Sequence, residues 1–63
     1  MATVAANNSR LSIIIPVLNE EGRIQSTLEP LQGLRLKGHE IIVVDGGSQD
    51  TTIPRCVPLA DHV

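Results

Sequence analysis

The sequence predicts an α/β fold in which two buried parallel strands are joined by a helix. Residues 11–17 and 41–44 are almost entirely apolar and rich in β-branched side chains, which is typical of strands covered on both faces by helices. Between them, Ile24, Leu28 and Leu31 recur at helical spacing. This order is that of a right-handed strand–helix–strand unit, the opening of a doubly wound domain.

The first strand and the helix start each have a local signal. Residues 1–10 carry no periodicity and predict a flexible N-terminus. The strand over residues 11–17 loses its hydrogen-bond ladder at Pro16, which has no backbone N–H. Asn19 is a good N-cap, and Glu20 and Glu21 suit the positive end of the following helix.

The second half of the unit repeats this pattern. Pro30 predicts a kink near Glu29, and Gly33 and Gly38 mark the helix exit. A second strand over residues 40–44 ends at Asp45, and Gly46, Gly47 and Ser48 form a tight turn. Ser48 or Asp50 caps a second helix that begins near Thr51. Residues 59–63 are a further loop or the approach to a third strand.

Length and composition exclude several classes of function. The chain has 63 residues, a net charge of −2, one cysteine, two histidines and no aromatic residue. It therefore has no internal disulfide, too few ligands for a four-ligand zinc site, and no electrostatic or stacking surface for nucleic acid. No run approaches the roughly 20 apolar residues of a membrane span, so a cytoplasmic protein is expected. Two strands and one helix leave apolar faces uncovered, which predicts an incomplete domain.

The carboxyl ends of the two strands are where ligands bind in such sheets. Glu20 and Asp45 are expected to face one crevice there, where carboxylates accept hydrogen bonds from ribose hydroxyls or a base N–H. The structural alternative is that both are helix and turn caps. The glycine-rich phosphate loops of dinucleotide and P-loop folds are absent. A phospho-acceptor switch module remains an alternative.

Two motifs carry a resemblance to a known family. SIIIPVLNEE at residues 12–21, followed by EIIVVDGGSQDTT at residues 40–52, resembles the N-terminal part of glycosyltransferase family 2. The Asp-Gly-Gly-Ser variant is most similar to the bacterial branch called selenodomain-associated transferase 2. The resemblance implies that residues 11–63 are the N-terminal portion of a Rossmann-like GT-A domain, here incomplete.

The resemblance also implies a substrate and a set of contacts. A nucleotide-diphosphate sugar, commonly a UDP sugar, donates its sugar to an acceptor hydroxyl. By position, Pro16, Leu18 and Glu20 border the base and ribose, and Asp45 and Gly46 contribute from the second strand. Many family members have an aromatic residue in place of Leu18 and an aspartate in place of Gly46.

The family's remaining machinery is expected outside this chain. A divalent metal, Mg or Mn, is held in family members by a later Asp-x-Asp motif, and a still later carboxylate acts as base. The resemblance therefore predicts the nucleotide-sugar-binding portion of a transferase, inactive alone. The alternative is a non-enzymatic α/β binding or phospho-switch module.

Overall fold

A computed structural model describes residues 3–7 and 10–63 and confirms the α/β fold. Its sheet has the order β1-β2-β3, in which β1 pairs antiparallel with β2 and β2 pairs parallel with β3. A helical crossover joins β2 to β3, and a further helix follows β3. The elements are β1 Thr3–Asn7, β2 Arg10–Val17, α1 Ile24–Leu28, a 3₁₀ turn Glu29–Leu31, α2 Gln32–Leu36, β3 Glu40–Asp45, α3 Thr52–Cys56 and a 3₁₀ turn Val57–Leu59.

Strand β1 lies within residues 1–10, the stretch predicted to be a flexible N-terminus. Its pairing with β2 runs in register from Thr3 opposite Ile14 to Asn7 opposite Arg10. The pairing gives the free edge of β2 hydrogen-bond partners that it otherwise takes from water. Residues 1, 2, 8 and 9, also part of that prediction, lie outside the described residues.

The crossover helix begins later than its sequence predicts. The backbone N–H groups of Arg23 and Ile24 donate to the Glu20 carbonyl at 2.9 and 2.8 Å, and Arg23 takes the N-cap position. Asn19 is therefore not the cap; its φ of 50° places it in a left-handed turn.

The predicted interruption at Pro30 is confirmed, because a 3₁₀ turn separates α1 from α2. Gly33 lies inside α2 and not at its exit, while Gly38, at φ 92°, follows the helix end. Across the described residues, no helix has the length and apolar character needed to cross a bilayer.

The hydrophobic core lies on one face of the sheet only. Side chains from β2, β3, α1 and α3 meet there, and the buried set is Ile13, Ile15, Val17, Ile24, Leu28, Ile41, Val43, Cys56 and Ala60. On the opposite face Ile14 and Ile42 are half-buried and Val44 is 52% exposed. All the helices that pack on the core lie on one side, so among the described residues the strands are covered on one face only, as expected for a chain that leaves apolar faces uncovered.

The residues after α3 approach the outer edge of β3. His62 forms a parallel bridge with Ile42, and the Val43 N–H donates to the His62 carbonyl at 2.9 Å. The Asp61 carboxylate accepts the Ile41 N–H at 2.7 Å and pairs with Arg35 at 3.3 Å. The Ile41 N–H, followed by the Arg35 charge, lowers the pKa of Asp61. Of the two interpretations of residues 59–63, the approach to a strand is the one confirmed.

Candidate functional site

Two loops leave the same edge of the sheet side by side. They span residues 18–22 after β2 and residues 46–51 after β3, and these two segments together are called the strand-end crevice below. Val17 and Asp45 are partners in the parallel register. The Gly46 N–H donates to the Val17 carbonyl at 2.9 Å, so the pairing continues one residue into the second loop. The two loops therefore start in direct contact.

Asp45 organises the turn that follows β3. One carboxylate oxygen accepts the N–H groups of Gly47 and Ser48 at 2.9 and 2.7 Å, and the other accepts the Ser48 hydroxyl. The Ser48 hydrogen bonds, with a smaller contribution from Gly47, lower the pKa of Asp45. The turn-cap interpretation is thus confirmed. A carboxylate has roughly four acceptor positions, so Asp45 retains capacity for one more donor.

The two glycines of this turn have different roles. Gly47 has a φ of 107°, a conformation that only glycine adopts without strain. Gly46 has no such requirement, and a Cβ atom placed there would lie 3.5 Å from the Val17 carbonyl oxygen and 3.8 Å from Leu18 Cδ1. Those are ordinary contact distances. Gly46 therefore leaves an exposed gap beside Leu18 that a side chain could occupy.

Of the remaining predicted site residues, only Leu18 lies beside this gap. Leu18 is 54% exposed. Glu20 is half-buried, and its N–H donates to the Thr52 hydroxyl at 2.7 Å. Its carboxylate makes no hydrogen bond to another described residue. Pro16 is exposed and lies in register with Val44 on the helix-free face. The structure thus brings Leu18, Asp45 and Gly46 together, holds Glu20 next to α3, and places Pro16 on the other face of the sheet.

Asn19 and Ser48 join the two loops. The Asn19 N–H donates to the Ser48 hydroxyl at 2.8 Å, and the Asn19 side-chain oxygen accepts the Gln49 N–H at 2.9 Å. Ser48 in turn donates to Asp45. Asn19, predicted as a helix cap, is therefore a cross-loop residue. Its residue type gives no way to tell the two roles apart, because asparagine favours both.

Glu21, Asp50 and Thr51 form a second connection. The Glu21 carboxylate accepts the Thr51 hydroxyl at 2.6 Å and the Thr51 N–H at 3.1 Å, and the Glu21 N–H donates to Asp50 at 3.3 Å. The Thr51 hydrogen bonds lower the pKa of Glu21, and the Thr52 hydroxyl lowers that of Asp50. Asp50 also accepts the Thr52 N–H at 2.9 Å. The N-cap position of α3 is held by Thr51, so neither Ser48 nor Asp50, the two residues predicted to cap this helix, occupies it.

A family model includes both loops in its match. The model described as glycosyl transferase family 2 matches residues 12–61 of this chain. The chain belongs to glycosyl transferase family 2. No curated protein and no solved structure matches it.

Glycosyl transferase family 2 members commonly use a divalent metal, and the residues of this chain do not fit one. Across residues 3–7 and 10–63, no three histidine, cysteine, aspartate or glutamate side chains are grouped to hold a metal ion. The Glu21 carboxylate instead accepts hydrogen bonds from Thr51 in the opposite loop, that of Asp45 accepts them from the turn that follows it, and that of Asp50 accepts one from Thr52 of α3. No metal-dependent step is therefore derived for these residues.

Proposed function

We propose that the strand-end crevice of this family 2 chain binds the nucleoside part of a nucleotide-diphosphate sugar, the donor in sugar transfer to an acceptor hydroxyl. The observation that carries the proposal is the placement of Leu18, Asp45 and Gly46 together where two adjacent parallel strands end. Ligands of open α/β sheets bind at that edge. The match to the family covers both loops.

The chemistry of the crevice suits a base and a ribose. Leu18 offers exposed aliphatic surface to the face of a base, and Gly46 leaves room beside it. Asp45 accepts a base N–H or a ribose hydroxyl with its remaining acceptor capacity. Glu20 supplies a second carboxylate. The resemblance also implies that Pro16 borders the base and ribose, although Pro16 lies on the helix-free face of the sheet. Negative charge repels phosphate, so these carboxylates favour the nucleoside over the diphosphate as the group bound here.

We also propose that the chain alone transfers no sugar. The resemblance assigns the Asp-x-Asp metal ligands and the catalytic carboxylate to residues that follow the motifs found here, and no residue of the crevice is assigned a catalytic role. The Mg or Mn ion, the acceptor, a cytoplasmic location and the selenodomain-associated bacterial branch remain predictions.

The proposal is tested by titrating the ¹⁵N-labelled chain with UDP and, separately, with uridine. We expect amide shifts confined to residues 18–20 and 45–48 for both ligands. Leu18→Ala removes apolar contact worth about 1 kcal/mol and should weaken binding about fivefold. Leu36→Ala is the matched control, because Leu36 is 89% exposed on α2, and it should bind as the unchanged chain does. Millimolar UDP and uridine that move no crevice amide would refute the proposal.

A further inference from the structure

Polar side chains that follow each strand accept hydrogen bonds from backbone amides that follow the other strand. Loop 18–22 donates through the Asn19, Glu20 and Glu21 amides to side chains that follow β3. The loop after β3 donates through the Gln49 and Thr51 amides to side chains of Asn19 and Glu21. The partners lie about thirty residues apart in the chain. This reciprocity fixes each loop against the other and not only against its own strand.

Thr51 is the point at which this connection reaches a helix. Its hydroxyl donates to Glu21 at 2.6 Å and accepts the Arg55 Nε–H at 2.8 Å. Arg55 also donates to the Gln25 side chain of α1 at 3.2 Å. A continuous chain of hydrogen bonds therefore runs from both helices through Thr51 to Glu21 in the first loop.

We propose that Glu21 and Thr51 are positioning residues, which set the separation of Leu18 from Asp45 and so preorganise the crevice for its ligand. This inference rests on the proposed function. Leu18 and Asp45 belong to different strand–loop segments, and both must meet one base and ribose. The pair Glu21 and Thr51, called the loop clamp below, holds the loops in that arrangement before the ligand arrives.

The physical reason is the cost of ordering a loop on binding. Each side chain that a ligand must immobilise weakens binding by about twofold to tenfold. The bonds of the loop clamp are exposed to water, so their effect on global stability is small. Their effect on the mobility of the loops is direct.

The test compares Glu21→Ala with Glu29→Ala in the full 63-residue chain. Both substitutions remove one negative charge from an exposed glutamate, and Glu29 lies outside the crevice at the start of a 3₁₀ turn. Charge alone predicts that Glu21→Ala binds the anion UDP more tightly. Loss of preorganisation predicts the opposite, a Kd for UDP and for neutral uridine raised about tenfold. Glu29→Ala should stay within about twofold.

A second pair of variants keeps the test independent of the charge change. Thr51→Val removes the hydroxyl that donates to Glu21, and Thr51→Ser retains it. We expect Thr51→Val to weaken UDP binding about threefold to fivefold and Thr51→Ser to restore most of it. If Glu21→Ala does not fold, the UDP affinities of Thr51→Val and Thr51→Ser decide whether the loop clamp positions the crevice.

Amide hydrogen exchange separates the two proposals. The Glu20 and Gln49 amides donate across the crevice through bonds that Glu21→Ala leaves in place, and they should exchange faster in Glu21→Ala but not in Glu29→Ala. Unchanged exchange at both amides overturns the positioning role. Equal or tighter UDP binding by Glu21→Ala also overturns it, provided that the unchanged chain binds UDP. A chain that binds neither UDP nor uridine but shows the faster exchange refutes the proposed function and retains the clamp.

Discussion

Polar side chains fasten both ends of the β2–β3 strand pair. At one end they lie on or next to the strands, and at the other they lie in the loops beyond the strands. At the end where the strands begin, Glu40 pairs with Arg10 and accepts the Ser12 hydroxyl at 2.7 Å. There the His39 Nδ1 atom also accepts the Leu11 N–H at 3.0 Å. At the end where the strands stop, the connections lie in the loops beyond the strands.

This difference determines which side chains are left free of hydrogen bonds at each end of the strand pair. At the starting end Arg10, Ser12, His39 and Glu40 are hydrogen-bonded to one another or to the strands themselves. At the carboxyl end the loops carry the connections, so Leu18 remains exposed and the Glu20 carboxylate keeps its acceptors. Under the proposed function, Leu18 and Glu20 would contact the ligand and Asn19, Glu21 and Thr51 fasten the loops, while Asp45 would take part in both.

The largest expected effect comes from Thr52, the buried residue at the carboxyl end. Thr52 is 0% exposed, and its hydroxyl accepts the Glu20 N–H at 2.7 Å. Thr52→Val leaves that N–H without its partner and should lower the free energy of unfolding by about 1–3 kcal/mol. Urea denaturation measures the free energy of unfolding. Thr27→Val, at an exposed position of α1, is the control. An equal loss of stability in both variants would show that the Thr52 hydroxyl does not fasten the carboxyl end.

A smaller effect distinguishes the two glycines of the crevice. Gly47→Ala places a Cβ atom at a φ of 107° and should cost about 1–2 kcal/mol of stability. Gly46→Ala meets only ordinary contacts and should change stability by less than about 0.5 kcal/mol. Thermal unfolding of the two variants side by side measures the difference. A larger loss of stability for Gly46→Ala than for Gly47→Ala would contradict the positive φ of Gly47.

At the starting end, His39 provides the corresponding test. His39→Ala removes the acceptor of the Leu11 N–H and should lower the free energy of unfolding by about 1 kcal/mol. The loss is smaller than for a fully buried N–H, because Leu11 is half-buried. His62→Ala is the matched control, since His62 is exposed and contributes to the sheet through its backbone. Urea midpoints that fall equally in the two variants would show that His39 does not fasten this end.

The smallest effect is expected from acid. The pKa values of Glu21, Asp45 and Asp50 lie below their ordinary values of 4.5, 3.8 and 3.8. Their contribution to stability is therefore fully present above those ordinary values and is lost as the pH falls through the lowered ones. Glu21 is exposed and Asp45 and Asp50 are only half-buried, so solvent screens their interactions and the loss is small and local.

Amide shifts of Gly47, Ser48 and Thr51, followed from about pH 5 to about pH 2, should show midpoints below the ordinary values. The corresponding amides report on the carboxylates through direct hydrogen bonds. Midpoints at or above 4.5 and 3.8 would mean that the loops do not hold these carboxylates in solution.

Local sequence signals predicted the elements of this fold, and long-range pairing accounts for the rest. The apolar runs predicted the parallel strands, and Pro30 predicted the break between α1 and α2. Strand β1 was missed because a short stretch of small residues pairs only when a partner edge is present.

In the candidate site too, local signals predicted some residues and long-range contacts decide the roles of the others. Asp45 and Gly46 were predicted to lie at the strand end from the turn chemistry alone, and the structure places them there beside Leu18. The roles of Asn19 and Glu21 were not predictable, because their partners lie about thirty residues away. Their residue types also suit a helix start, which local reasoning favours.

The contact of residues 61 and 62 with β3 has a consequence for association between molecules. An unpaired strand edge is a template on which strands of other chains assemble, and the β-branched run at residues 41–44 is of the kind that forms such assemblies. Here the outward groups of Ile41 and the Val43 N–H are already bonded to Asp61 and His62. Asp61 also places a carboxylate at that edge. Residues 61 and 62 therefore occupy part of the edge of β3 on which a strand of another chain would have to pair.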